Sequence, residues 1–561
     1  MDDYPYPSLS EMFVASVARD PHATALWHHD GTKFVSETWR DLHLEIKRWA
    51  TTLYDFGVEA GDRVALLSEN RREWVLNDLS VHWLGAIHVA LHSVLSGAQA
   101  IQQLCHCHPR IILISNAAQL EKLVPFAAQI PIDATIATFE QVPSSLIEKF
   151  GGREVFHWKD AIANSCDRAD EFVFLYEAAE TCSPDTVASI LYTSGTTGAP
   201  KGITLTHGNL ISNAFGIIKF FSDDPTDRRL CFLPLSHIFG RMCDHYIWLA
   251  RGSQLALARS RETILADCQA TQPTIINGVP IFWERIHREL EKAGKADVPE
   301  SLQALLGGRV RACCSGGAPL DVDTFDFFQT QGIPLLQGYG LSETSPAISI
   351  STLEHNRRGA SGKPLPGVDV RIAEDGEICT RGPHVMPGYW KDDAATHAVI
   401  QDGWFHTGDL GRVDEDGFVF ITGRKKELIV LANGRNIIPT LLESLLCRDP
   451  LILQAMVVGD KRSQLGALIV PDADALRQWV KDERLWAWSK KGVLNHQRVH
   501  ELYRERIAYQ LRELSPAEQV HRFFLLDRGF TQDAGHLTPK FSLRRNEIAK
   551  DFAAEIDKMY D

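Results

Sequence analysis

Between Thr193 and Lys201 the chain reads TSGTTGAPK, and Gly202 follows. Gly195 and Gly198 let the backbone come close to a ligand with successive N–H groups turned inward, while Ser194, Thr196 and Thr197 add hydroxyl donors and Lys201 adds positive charge. Those residue types in that order suit the cradling of a polyphosphate. The segment is not a Walker A loop, because no strand-GxxxxGK[ST]-helix arrangement is present. A plain Ser/Thr-rich surface loop would not explain a Pro-Lys-Gly ending set between two short apolar runs.

Such a loop needs a rigid frame, and the surrounding pattern supplies one. From about residue 187 to 343, the runs ASILY, GITLT, CFLPL, QLALA, TIING, VRACCS and IPLLQG read as strands. They alternate with GNLISNAFGIIKFF, IFWERIHRELEKA and LDVDTFDFFQTQ, which read as helices. The alternation predicts an α/β body of mostly parallel sheets covered by helices, with ligand sites beyond the carboxyl ends of strands. After NRRGASGKPLPGVDV the texture changes to short β runs punctuated by Asp375-Gly376 and Asp416-Gly417, both hairpin signals. The charged segment GRKKE marks a boundary. The expected division is a large N-terminal domain, residues 1–424, and a small, mobile α+β lid, residues 425–561. Trp486 and Trp488 read as packing residues of the lid.

A chain of 561 residues with 44% hydrophobic and 23% charged residues is an ordinary globular protein of more than one domain. No run approaches a spanning helix, and the acidic, proline-punctuated MDDYPYPSLSEMF does not read as a signal peptide. The formal charge of −14 disfavours nucleic acid as a partner, so phosphate chemistry must use local cations and backbone amides. Eleven cysteines without a repeated spacing fit a reduced compartment, and cytoplasm is the expected location. CHCHP at 105–109 is not expected to hold zinc, because side chains alternating over so few residues do not converge on one ion.

Four stretches in order, YTSGTTGAPKG, QGYGLSET, GWFHTGDLG and GRKKELI, resemble the adenylate-forming superfamily of acyl-CoA synthetases, luciferases and peptide-synthetase adenylation domains. LPLSHIFGR, GGAPLDVDTFDFFQTQGIPLLQGYGLSET and GKPLPGVDV bring the chain nearest to the fatty acyl-CoA synthetase branch. The resemblance implies a two-step reaction. ATP first converts a fatty acid to an acyl-adenylate with loss of pyrophosphate, and the CoA thiol then displaces AMP. It further implies that Thr193, Ser194, Gly195, Thr196, Thr197, Gly198 and Lys201 hold the β- and γ-phosphates. Gly316, Gly317 and Ala318 line the adenine, Tyr339 stacks on it, Ser342 reaches the α-phosphate and Glu343 holds Mg²⁺. Asp409 takes the ribose hydroxyls with Arg424, Lys426 is the hinge, and Gly434 lies where CoA pantetheine passes. His237 matches a residue between the ATP and acyl sites, and Asn277–Phe282 and Ser315–Ala318 flank the acyl path. A long-chain substrate would make a peripheral membrane contact useful.

One motif departs. The family's C-terminal lysine, which bridges carboxylate and α-phosphate, usually lies in LTPTxKxxR, but here the chain reads LTPKFSLRR and Ser542 occupies that place. Lys540 is two residues earlier, roughly 6–7 Å along an extended chain and on the same face. Lys540 taking over the role is the working expectation. Two alternatives stay open: an acyl-AMP ligase that loads a carrier protein, and a non-catalytic binder of acyl groups or nucleotide.

Overall fold

The computed structural model describes residues 5–165, 182–193, 200–221, 224–485, 489–531, 533–537 and 543–560. Ser194, Gly195, Thr196, Thr197, Gly198, Trp486, Trp488, Lys540 and Ser542 lie outside them. The chain forms two compact units. The first comprises Met1–Arg371, Cys379–Thr407 and Asp414–Val419, and the second Ile372–Ile378, Gly408–Val413 and Phe420–Asp561.

Among the described residues the first unit is built on a nine-stranded and an eight-stranded sheet. In the nine-stranded sheet the strands Arg228–Cys231, Gln254–Leu257, Ile275–Gly278, Ala312–Ser315 and Leu335–Gly340 run parallel, and Ala347–Ile350 returns antiparallel beside the last. In the other sheet Arg63–Ser68 and Ile111–Ile114 are apolar along nearly their whole length, as strands covered on both faces must be. The helices obey the same arithmetic. Pro280–Lys292 starts on proline, where a missing N–H costs nothing, and turns Trp283, Ile286 and Leu290 inward along one stripe. His207–Ile218 opens with a reciprocal cap between Thr206 and Asn209 and is buried almost all round.

The strands on either side of the glycine-rich loop, Val187–Thr193 and Lys201–Thr206, are an antiparallel exception within the mostly parallel sheets and pair as a hairpin. One expectation is corrected. The run CFLPL is not a strand, because the sheet residues are Arg228–Cys231 and the chain then turns away. Asn70 captures that turn, its Nδ2 donating to Leu233 O at 2.7 Å and its Oδ1 accepting from Leu235 N at 2.8 Å. CHCHP also differs in detail: Cys105–Cys107 end the helix Gly97–Cys107, and His108 caps it in the left-handed region.

A buried charge cluster joins the helices to the strands Ile87–His92 and Val187–Thr193. Asp78, on the helix Arg72–Trp83, accepts from Arg241 Nη2, and its Oδ2 lies 2.8 Å from His245 Nε2. Arg241 also donates to Ser189 Oγ at 2.7 Å and to His88 Nδ1 at 2.8 Å. All these side chains are fully buried. Burial works to raise the Asp78 carboxyl, but the Arg241 guanidinium and the neighbouring His82 outweigh it and hold it well below the usual range.

The second unit contains the three-stranded sheet Ile452–Val458, Leu465–Pro471 and Val520–Leu525. One apolar cluster joins the helices Pro439–Leu446 and Gln497–Leu511 to it, and another gathers around Ile548, Phe552 and Met559. Arg545 ties these parts together by a forked pair to Glu443, at 2.6 and 2.5 Å. No helix among the described residues is long and apolar enough to cross a membrane.

Candidate active site

The hairpin registers Thr193 against Lys201 and Tyr192 against Gly202, so the glycine-rich segment leaves and re-enters the sheet at one point. Gly202 fits closely there, because a Cβ would stand 3.1–3.3 Å from side-chain atoms of Ile190, Trp390 and Tyr192. Its carbonyl accepts from Trp390 N at 2.6 Å, and the Tyr192 hydroxyl meets His106 Nδ1 at 2.8 Å. Lys201 Nζ sits 4.8 Å from the centre of the Tyr389 ring. The Tyr389 hydroxyl donates to Glu343 Oε1 at 3.0 Å. Lys201 and Glu343, on separate motifs, thus meet on one aromatic side chain.

Glu343 lies in the 3₁₀ turn Ser342–Thr344 that follows the strand Leu335–Gly340. The turn is tight: a Cβ on Gly340 would stand 1.7 Å from Pro346 O. Thr344 Oγ1 donates to Pro346 O at 2.6 Å, and Met386 N donates to Glu343 O at 2.9 Å. Glu343 is half-buried, and Ser342 is buried at the head of the same turn. Only Oε1 of Glu343 is engaged among the described residues, leaving Oε2 as a hard oxygen donor of the kind Mg²⁺ takes.

Tyr339, Gly316, Gly317 and Ala318 gather at adjacent strand ends, because Gly278, Ser315 and Gln337 are in register across three parallel strands. Gly316 N donates to Gly278 O at 3.3 Å, and a Cβ on Gly316 would touch the Phe239 ring at 3.2 Å. Gly317, at φ +84°, turns the chain beyond the strand. His237 starts the short helix containing Phe239, accepts from Phe239 N at 3.2 Å, and stacks on His92 at 6.1 Å.

Asn277, at the start of the stretch expected to flank the acyl path, is held by hydrogen bonds of its side-chain amide. Its Nδ2 donates to Asp244 Oδ1 at 2.5 Å and to Cys243 O at 3.2 Å. Complete burial pushes the Asp244 carboxyl up to about 7, against the opposing pull of Asn277 and Arg229. Gly278, one residue on, faces Trp283 and Phe282, and Phe282 packs on Phe232 at 4.8 Å.

In the second unit Asp409 is buried, and Arg424 Nε lies 3.0 Å from its Oδ1. Lys425 pairs with Asp375 at 2.5 Å and with Glu377 at 3.1 Å. Lys426 is exposed in the turn Lys425–Glu427. Gly434, at φ +81°, is exposed in a tight turn closed by its N–H to Leu431 O at 2.8 Å. The residues flanking Lys540 are fixed by pairing of Leu537 with Leu543 and by Arg544 N to His536 O at 2.8 Å.

Sequence reasoning missed Tyr389. The stretch PGYW carries no nucleophile or charge, and a glycine beside two aromatics was its only signal. Asp78, Arg241 and Asp244 were missed because their partners are remote in sequence.

The profile of the AMP-binding enzymes matches residues 13–390, and that of the AMP-binding enzyme C-terminal domain matches residues 426–561. The long-chain-fatty-acid–CoA ligase FadD15 of Mycobacterium bovis is 32% identical over an alignment covering 94% of each chain. The long-chain-fatty-acid–CoA ligase ACSBG2 of Homo sapiens is 26% identical over 99% of this chain and 92% of its own. Among solved structures, the adenylation domain of a carboxylate reductase from Mycobacterium chelonae superposes with a TM-score of 0.81. It is 21% identical and covers 100% of this chain and 92% of its own.

Proposed function

The chain belongs to the family of AMP-binding enzymes, and from that membership we propose that it activates a long-chain fatty acid with ATP and transfers the acyl group to CoA. The observation that carries the reading is the meeting of Lys201 and Glu343 on Tyr389. A phosphate-binding lysine and a metal-binding carboxylate must lie together if one nucleotide is to engage both.

A free carboxylate does not react with a thiol at neutral pH, because its oxygen is a poor leaving group. Joining it to the α-phosphate of ATP creates that leaving group, and the obstacle is then repulsion between two anions. In the proposed division of labour, Thr193, Lys201 and the hydroxyls and amides of the loop between them bind the β- and γ-phosphates. Tyr339 stacks on adenine above Gly316, Gly317 and Ala318, Ser342 donates to the α-phosphate, and Asp409 with Arg424 takes the ribose hydroxyls. Mg²⁺ on Glu343 would supply neutralising charge between the phosphates. Lys540 brings its ammonium between the carboxylate and the α-phosphate, and His237 stands on the acyl side. Lys426 serves as the hinge between domains 1–424 and 425–561, exchanging one catalytic face for another after adenylation. Gly434, without a side chain, then gives pantetheine passage to the acyl-adenylate. The location that fits this chemistry is the cytoplasm.

The test is product analysis with palmitate, ATP and either CoA or a holo-carrier protein. The reading expects stoichiometric AMP and palmitoyl-CoA with CoA, and no acyl-carrier. Acyl-carrier without acyl-CoA, or nucleotide binding without AMP, would overturn it.

A further inference from the structure

We propose that Tyr389 is a positioning residue for adenylation: its hydroxyl orients the Glu343 carboxylate while its ring face seats the Lys201 ammonium, so one side chain sets both the metal ligand and the phosphate lysine. This rests on the roles proposed above for Glu343 and Lys201, and assigns what holds them in place.

The backbone around Tyr389 is a strap between the two motifs. At one end Met386 N donates to Glu343 O at 2.9 Å, and at the other Trp390 N donates to Gly202 O at 2.6 Å. Between them Gly388 and Tyr389 pair antiparallel with Thr204 and Ile203, and Thr204 Oγ1 donates to Gly388 O at 2.5 Å. Tyr389 N is itself held by Thr396 Oγ1 at 2.9 Å. The ring is 9% exposed. A phenol fixed in this way has little freedom to lose, so its contacts are made before a ligand arrives.

The two contacts have different chemical consequences. A hydroxyl donated to Oε1 fixes the carboxylate plane and leaves Oε2 available to a metal. A cation over a ring is attracted by the quadrupole, yet the ring neutralises no charge. Lys201 therefore keeps its ionic attraction for phosphate, which a carboxylate partner in the same place would cancel. A tyrosine that merely filled space would need neither contact, and phenylalanine would replace it without consequence for the metal.

The test is calorimetric titration of the full chain with ATP, once in EDTA and once with excess Mg²⁺, for wild type, Tyr389→Phe, Tyr389→Leu and Glu343→Gln. Phenylalanine keeps the ring and removes the hydroxyl. Its metal-free ATP affinity is expected to stay within about twofold of wild type, while the gain in affinity on adding Mg²⁺ shrinks roughly tenfold, the usual size for a hydrogen bond to a charged group. Leucine removes both contacts, and its metal-free affinity is expected to fall roughly threefold or more as well. A Phe variant with the full Mg²⁺ gain, beside a Glu343→Gln variant that has lost it, would overturn the hydroxyl's role. A Glu343→Gln variant that keeps the gain would remove the metal assignment itself, and the hydroxyl's role with it.

Discussion

Arg424 Nε lies 3.0 Å from Asp409 Oδ1, and the two ends of this pair differ sharply in exposure: the arginine side chain is 48% exposed and the aspartate 5%. Removing the arginine would leave a buried carboxylate with less compensation, whereas removing the aspartate charge leaves an arginine that water can solvate. With Asp409 on the ribose, Asp409→Asn is expected to raise the KM for ATP about tenfold with little loss of stability. Arg424→Met is expected to lower the thermal midpoint as well as weaken ATP. Steady-state kinetics and a melting curve on the two variants check both arms.

The Asp78–Arg241 pair makes a purely structural prediction. It is fully buried and shares its oxygens with imidazoles, so truncating one member strands the other charge without water. Arg241→Leu is expected to cost about 3–5 kcal/mol in urea unfolding. A loss under 1 kcal/mol would mean that water or a rearranged histidine takes the place of the guanidinium.

Asp244 gives the stability a pH dependence of known sign. Its folded carboxyl titrates at about 7 against an ordinary 3.8, so between those values the native state holds a proton that the unfolded chain has released. Stability from this group is therefore lost as pH rises through that window, by up to about 4 kcal/mol in total. Asp244→Asn keeps the acceptor for Asn277 and removes the titration. Its stability relative to wild type is expected to climb from pH 5 to about pH 7 and to level off toward pH 8, read by urea midpoints from pH 5 to pH 8.

The alternation of strands and helices, and with it the α/β body, was legible because it is local: short runs of fixed residue type and period. What escaped were features that only the fold creates. Lys201 gave no hint of Tyr389, since the strap from Met386 to Trp390 comes beside it through sheet pairing. The antiparallel pairing of the strands ending at Thr193 and starting at Lys201 could not be read, because period-two alternation does not encode strand direction. CFLPL looked like a strand from its apolar run, but Pro234 cannot donate to a ladder and Asn70 draws the turn away. The bond from Asn277 to Asp244 was likewise invisible, because the two residues are 33 positions apart in the chain.

The central claim is a working adenylation step with Lys540 in place of the usual lysine. The most direct measurement is fatty-acid-dependent exchange of labelled pyrophosphate into ATP by wild type, Lys540→Ala and Ser542→Ala. The account predicts exchange with long-chain acids in wild type, its retention in Ser542→Ala, and a drop of at least about a hundredfold in Lys540→Ala, whose ammonium bridges the reacting anions. No exchange from wild type with any acid, in a protein that still binds ATP, would contradict it.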